Sequence, residues 1–323
     1  MKKILIVRFS SIGDIVLTTP VVRCIKATYP DVTIHYLTKI VYTSILENNP
    51  YIDKVIGMEK EIDTLLPELK AEQYDFVVDL HHNLRTKRLK LALQRKSATF
   101  PKLNFQKFIL TKLKVNLMPD IHIVDRYFKA VKKIGVENDG KGLDFFIAKK
   151  DQVNTKDFHL PENYVAFAIG AQFCTKRMPV ESIIEMVSKI NETVVLLGGA
   201  GDMKAGKKIS NYCKNVIDLT GQINLNQSAS ILQQAKKVIS HDTGLMHIAA
   251  AFQKPIISIW GNTVPELGMY PYLPEKKSNY SIYEVLDLKC RPCSKIGYQA
   301  CPKGHFNCMI KQDLNAIAKE VNA

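Results

Sequence analysis

The chain reads as an α/β protein made of two successive domains, each built on a mainly parallel sheet, and three observations predict this. Short β-branched runs alternate with helix-length amphipathic segments along the 323 residues, the pattern of strand–helix repeats that close a parallel sheet. The alternation stops once, at the polar, aperiodic stretch KKDQVNTKDFHLPEN over 149–163, and then restarts. The length suits two domains, each able to bury a core of its own. Two Rossmann-like domains facing each other across a cleft, over 1–155 and 156–323, are therefore expected, with ligands at the carboxyl ends of the strands.

The strands follow in order. In the first half they are expected at KILIVR (3–8), TIHYL (33–37), KVIG (54–57), FVVDL (76–80) and SATF (97–100), each followed by a helical pattern. In the second half they are expected at YVAFAIG (164–170), TVVLLGG (193–199), NVIDL (215–219), KVISHD (237–242) and PIISIWG (255–261). Every motif singled out below lies just after one of these runs.

Composition sets outer bounds. The formal charge of +14 implies attraction to anions, whether nucleic acid, nucleotide or an acidic membrane surface, and charge alone does not choose among them. No apolar run approaches the roughly 18 residues of a membrane span, and the opening MKKILIVRF is too short for a signal peptide, so a cytoplasmic protein is expected. The odd count of seven cysteines then argues for reduced thiols over a disulfide scaffold.

Four post-strand loops carry chemistry. RFSSIGDIVLTTP (8–20) has the shape of a phosphate-cradling turn, with Ser10, Ser11 and a Gly13 that would allow a tight turn, but it places a carboxylate, Asp14, where a phosphate would sit. On its own Asp14 reads as a helix cap. In SHDTGLMHIAAAFQKP (240–255), Asp242 can cap a helix beginning Thr243, Gly244, Leu245, whose free N–H groups form an anion site. His247, one turn on, shares that face; the alternative is a capped core helix with a satisfied histidine. GAQFCTKRMP (170–179) offers adjacent cations, Lys176 and Arg177, suited to a diphosphate or simply to the surface. LLGGAGDMKAG (196–206) departs from the dinucleotide fingerprint by placing Lys204 where glycine belongs; it reads as a tight turn whose Asp202 can meet a ribose.

Taken together, RFSSIGDIVLTTP, TKR-x-P and HDTGLMHIAAA resemble glycosyltransferase family 9, the lipopolysaccharide heptosyltransferases, in order and spacing over nearly the whole chain. Met178 is a departure, since the family more often has tryptophan there. The resemblance implies a GT-B fold with an acceptor-binding first domain and a nucleotide-sugar-binding second domain that ends in a cysteine-rich segment and a helix. It implies an ADP-heptose donor and transfer with inversion to a Kdo or heptose of the lipopolysaccharide inner core. It implies no cofactor for catalysis, and the chain agrees in holding no Asp-x-Asp pair for a metal-bound nucleotide sugar. Asp14 becomes the candidate base, charged at a helix start. Ser10, Ser11, Gly13, Lys176, Arg177, Asp202, Asp242, Thr243, Gly244, Leu245 and His247 become the donor set, with Lys176 also supporting the leaving diphosphate.

Two further stretches call for partners. Between Asp79 and Asp120 there is no acidic residue and there are ten lysines or arginines. Arg85, Lys87 and Arg88 are the expected contacts for an anionic acceptor of the lipid A–Kdo type. FQKFILTKLKVNLM (105–118) reads either as an interfacial helix on the inner membrane or as a core helix with a lysine face; a nucleic-acid partner is not expected. Cys290-x2-Cys293, with Cys301, His305 and Cys308, can build a zinc or iron–sulfur site, or else holds buried thiols or labile disulfides. Rival readings are another donor or acceptor on the same fold, a nucleotide-dependent oxidoreductase, and a non-catalytic metal- or nucleic-acid-binding protein.

Overall fold

The computed structural model describes residues 1–323 apart from the side chain of Lys277, and the chain divides into two compact units. The first is Met1–Lys102 with Ile121–Phe146; the second is Leu103–Asp120 with Ile147–Ala323. The first runs through β1 (Lys3–Val7), α1 (Ile12–Val16), α2 (Thr19–Thr28), β2 (Thr33–Lys39), β3 (Lys54–Met58), α3 (Leu66–Ala71), β4 (Phe76–Asp79), α4 (Leu84–Leu93) and β5 (Lys96–Thr99). The chain then passes through α5 (Asn104–Leu113), which joins the other unit, and returns with α6 (Ile123–Phe128).

Its sheet has the order β3-β2-β1-β4-β5, all parallel. The central strand β1 is buried on both faces from Ile4 to Val7, which is why it reads as an unbroken apolar run with no alternation. The returning segment is fastened by Arg23 on α2. Its guanidinium bonds both Asp139 oxygens at 2.9 and 2.8 Å, the Gly142 carbonyl at 2.9 Å, and Asp144. These Arg23 hydrogen bonds hold Asp139 below the usual carboxylate range.

The second unit continues with β6 (Tyr164–Ala168), α7 (Val180–Val187), β7 (Thr193–Leu197), α8 (Met203–Tyr212), β8 (Val216–Asp218), α9 (Leu225–Gln234), β9 (Lys237–His241), α10 (Gly244–Ala251), β10 (Ile256–Trp260), β11 (Tyr280–Glu284), α11 (Asn307–Ile310) and α12 (Leu314–Asn322). The sheet order is β11-β10-β9-β6-β7-β8, again parallel throughout. In both sheets the strand order reverses once, between β1 and β4 and between β6 and β9. In doubly wound sheets ligands settle outside the carboxyl ends of the strands at those two points.

All ten expected strands form, mostly trimmed at their carboxyl ends: Arg8, Leu80, Ile169 to Gly170 and Gly198 to Gly199 have already left for loops. Four expectations are corrected. β11 was not anticipated, because YSIYE offers a single β-branched residue and follows a long irregular stretch. β2 is followed only by a 3₁₀ turn, Ile40–Ile45.

The stretch over 149–163 is not a free linker, because it packs on α9. Asp151 accepts from Asn224 Nδ2 at 2.9 Å, and the Val153 N–H donates to Ser230 Oγ at 2.9 Å. Finally, α5 lies with the second unit. Leu110 and Met118 pack on Val264 and Leu267, and Lys114 Nζ donates to the Pro292 carbonyl at 2.6 Å. With Leu110 turned inward, Phe105 and Phe108 face solvent on the opposite side, 69% and 56% exposed. No helix of the described residues is long and apolar enough to cross a membrane.

Candidate active site

In the first unit the switch point is built around Arg8, the residue that ends the apolar run of β1. Its side chain turns back into the protein, where Nε donates to the Ser10 carbonyl at 2.7 Å and Nη1 to the Leu80 carbonyl at 2.6 Å and the Tyr127 hydroxyl at 3.1 Å. Its Nη2 meets Asp14 Oδ1 at 2.7 Å. Burial works against the guanidinium charge, but Asp14 together with Tyr127 and Tyr36 outweighs it, and Arg8 is held above its ordinary value.

Asp14 lies in α1, where its Oδ2 also accepts from the Ser11 hydroxyl at 2.9 Å and the Ser11 N–H at 3.3 Å. It thus serves the helix start while remaining pinned by Arg8. Gly13 is inside α1, not at a tight turn ahead of it. Across the switch point, at the end of β4, Asp79 is fully buried; it pairs with Lys90 at 2.9 Å and accepts from the N–H groups of His81 and His82. His81 lies against Phe9 with ring centroids 5.0 Å apart. Burial, helped by the Arg8 charge, pulls His81 down to about 4, so its ring is neutral at pH 7.

In the second unit two loops meet at the β6/β9 switch point. Lys176, in a 3₁₀ turn after β6, places Nζ 2.6 Å from Asp242 Oδ2 and 3.3 Å from the Asp242 carbonyl. Thr263, after β10, donates its hydroxyl to the same Oδ2 at 2.9 Å. Asp242 therefore does not cap α10 as expected: its carboxylate is taken by Lys176 and Thr263. The N-cap is Thr243, in extended conformation with no side-chain cap bond. The first N–H groups of α10 stand outside the helical ladder, and Thr243, Gly244 and Leu245 are half-buried while His247 is buried beneath them.

The lysine loop is held from behind by His241, whose Nε2 accepts from the Met178 N–H at 3.1 Å. Complete burial pushes this histidine down to about 4, which keeps it the neutral acceptor that the bond requires. Arg177 donates to the Ala171 carbonyl at 2.7 Å and pairs with Asp202 at 3.3 Å. Asp202 also accepts from the Gly199 N–H at 2.9 Å, so its carboxylate ties the loops after β6 and β7 together.

The remaining candidates stand apart from these centres. Arg85, Lys87 and Arg88 line an exposed face of α4, and Arg88 shares its charge with Asp63 at 3.0 Å. The four clustered cysteines do not form a ligand set: among the described residues no group of three or more His, Cys, Asp or Glu could hold a metal. The physical reason is that they serve different ends. Cys308 is buried in the core of the second unit, Cys293 Sγ turns to the Cys290 carbonyl at 3.1 Å, and Cys290 meets His305 at 3.8 Å.

Sequence reasoning missed Arg8, His81 and Thr263. Arg8 and His81 could have been found by asking which polar residues directly follow the most apolar strands at a switch point. Thr263 left no such signal, because its partner Asp242 lies 21 residues away in sequence.

Comparison with known proteins completes the picture. Residues 62–299 match the family model described as glycosyltransferase family 9 (heptosyltransferase). The chain is 26% identical to the lipopolysaccharide heptosyltransferase 2 of Salmonella typhimurium over 82% of its own length and 84% of that protein. It is likewise 26% identical to the lipooligosaccharide heptosyltransferase 2 of Haemophilus influenzae, over 91% and 92% of the two chains. In structure it is similar to the Escherichia coli ADP-heptose lps heptosyltransferase II, with a TM-score of 0.70 at 21% identity and all of both chains covered. The chain belongs to glycosyltransferase family 9, the heptosyltransferases, and is a glycosyltransferase of the GT-B fold.

Proposed function

We propose that the chain is an inverting, metal-independent glycosyltransferase that moves heptose from ADP-L-glycero-D-manno-heptose onto Kdo or a first heptose of the lipopolysaccharide inner core. The names of its relatives support the donor and the acceptor class. The observation that carries the chemistry is the pair of switch-point sites: an anchored carboxylate in one unit, a lysine beside an uncapped helix start in the other.

In this reading an acceptor hydroxyl attacks the anomeric carbon and the bond to the ADP oxygen breaks, while the hydroxyl proton passes to Asp14. The Arg8 pair holds the Asp14 carboxylate in one orientation. A carboxylate so paired is a weak base, so the proton moves late, once the attacking oxygen has become acidic. Charge building on the departing diphosphate is met by Lys176, Arg177 and the α10 N–H groups of Thr243 to Leu245, with Asp242 fixing the lysine and His247 lying under that face. These groups provide the stabilisation that a metal gives in other sugar transferases.

Arg85 and Lys87 are the acceptor contacts best placed to take carboxylates and phosphates, since Arg88 is partly satisfied by Asp63. We further infer peripheral work at the inner face of the inner membrane. Solvent-facing Phe105, Phe108, Leu113, Val115 and Leu117 alternate with lysines at 107, 112 and 114, a surface suited to an anionic leaflet.

Mass spectrometry of a deacylated Kdo–lipid A acceptor, incubated with ADP-heptose and native protein in EDTA, tests the reading. One added heptose is the expected product. Transfer only after a divalent metal is restored, or only from a different nucleotide sugar, would overturn the metal-independent or the donor part.

A further inference from the structure

The cysteine-rich segment holds no ligand set, yet it touches the two loops, after β6 and after β10, that supply the partners of Asp242. Arg291, almost fully buried, donates Nε to the Gly261 carbonyl at 2.6 Å and Nη2 to the Thr263 carbonyl at 2.9 Å. Its Nη1 reaches the Val285 carbonyl at 2.9 Å, and Nη2 pairs with Glu284 at 2.7 Å. The Cys293 N–H takes the carbonyl between, Asn262, at 3.0 Å. Three successive carbonyls of the loop after β10 are thus held by residues 291–293.

Five residues on, the same segment grips the lysine loop. The Tyr298 N–H donates to Thr175 Oγ1 at 2.8 Å, and Thr175 returns bonds from its own N–H and hydroxyl to the Tyr298 carbonyl at 3.1 and 3.0 Å. Two glycines permit the approach. A Cβ on Gly297, at φ +126, would lie 2.5 Å from Phe173 Cβ, and one on Gly261 would lie 2.8 Å from the Thr175 carbonyl oxygen.

The contacts close a ring: Arg291 holds Thr263, Thr263 and Lys176 share Asp242 Oδ2, and Lys176 adjoins Thr175, which Tyr298 holds. We propose that segment 291–298 is a strap that sets the position of Lys176 and Asp242 for the donor diphosphate, with Arg291 and Thr175 as its positioning residues; this rests on the donor-site reading above. A lysine is a point charge on a flexible stem, and it presents one geometry only when its loop and its carboxylate partner are both fixed. The strap fixes both from one piece of chain.

The test is calorimetric titration of ADP into the full-length protein and its variants, with donor and acceptor KM measured alongside. Arg291→Lys keeps the charge but loses the fork, and Thr175→Val keeps the shape but loses the hydroxyl. Each is expected to weaken ADP and raise donor KM by about tenfold, short of the ~10²-fold that a 1 Å misplacement can cost. The acceptor KM should stay unchanged, and Thr175→Ser should restore binding.

In a Lys176→Met background the same substitutions should change ADP affinity less than about twofold, because groups acting through one partner are not additive. Native ADP affinity in both strap variants, or their full effect persisting without Lys176, would overturn the strap while leaving the donor site intact. Native ADP affinity in Lys176→Met itself would remove the donor-site reading and the strap with it.

Discussion

The two sheets place an ion pair at the same topological point and bury opposite members of it. After β1 the cation is the sheltered partner, with the Arg8 side chain 10% exposed against 22% for Asp14. At the β6/β9 switch the carboxylate is sheltered, with Asp242 at 9% against 17% for Lys176. In each unit the deeper charge is the anchor, hydrogen-bonded to its surroundings, and the shallower one is presented. A presented carboxylate suits taking a proton and a presented lysine suits meeting a diphosphate. One fold, used twice, thus presents opposite charges by inverting which partner is buried, and the proposed reaction uses one for each chemistry.

The comparison can be broken at either anchor or either presented group. The largest effect is expected from Asp14→Asn, which should lower kcat by ~10²–10⁴-fold in an ADP-release assay, the range for losing a positioned base. Arg8→Met leaves Asp14 without its cation and the Ser10 and Leu80 carbonyls without their donor. A loss of about 3–5 kcal/mol in urea unfolding is expected, as when one partner of a buried pair is removed. A loss below about 1 kcal/mol would mean that Arg8 is not an anchor.

Away from both sites, Phe105→Asp with Phe108→Asp should reduce cosedimentation with anionic phosphatidylglycerol vesicles by about tenfold or more. Turnover of a soluble acceptor should be unaffected. Unchanged vesicle binding would sink the membrane role of α5.

The smallest effect concerns the thiols. Burial raises Cys293 from an ordinary 9.0 to about 11 and Cys308 to about 12. Folded-state values above the unfolded ones give stability that is complete below pH 9 and is lost as the pH rises towards 11–12. At pH 7.5 both should resist iodoacetamide while exposed Cys174 reacts. Rapid alkylation of Cys308 would show that its core opens readily.

How far the sequence carries the reader differs between fold and site for a physical reason. Strands such as FVVDL and TVVLL declare themselves because a parallel strand buried on both faces must be apolar throughout. Boundaries between units do not, since nothing local in FQKFILTKL says that Leu110 packs on Val264 and Leu267, some 150 residues later in the chain. The same holds at the site. Lys176 and Asp242 are each visible as charged residues after a strand, but their 2.6 Å contact is a tertiary fact. It is also what takes Asp242 away from the helix cap that its position suggested. Arg8 was in plain view within RFSSIGD at the end of an apolar strand, but the partners that bury it, Leu80 and Tyr127, come from far along the chain. The four cysteines show the converse: a CxxC with two later cysteines suggested one site, and the fold sends Cys308 to the core and leaves Cys290 at His305.

The division of labour between the two ion pairs is tested most directly by a crossed measurement of kcat and ADP affinity on Asp14→Asn and Lys176→Met. The account predicts that Asp14→Asn loses turnover while binding ADP as the native protein does, and that Lys176→Met weakens ADP by about tenfold or more. Loss of ADP binding in Asp14→Asn, or native turnover in that variant, would contradict it.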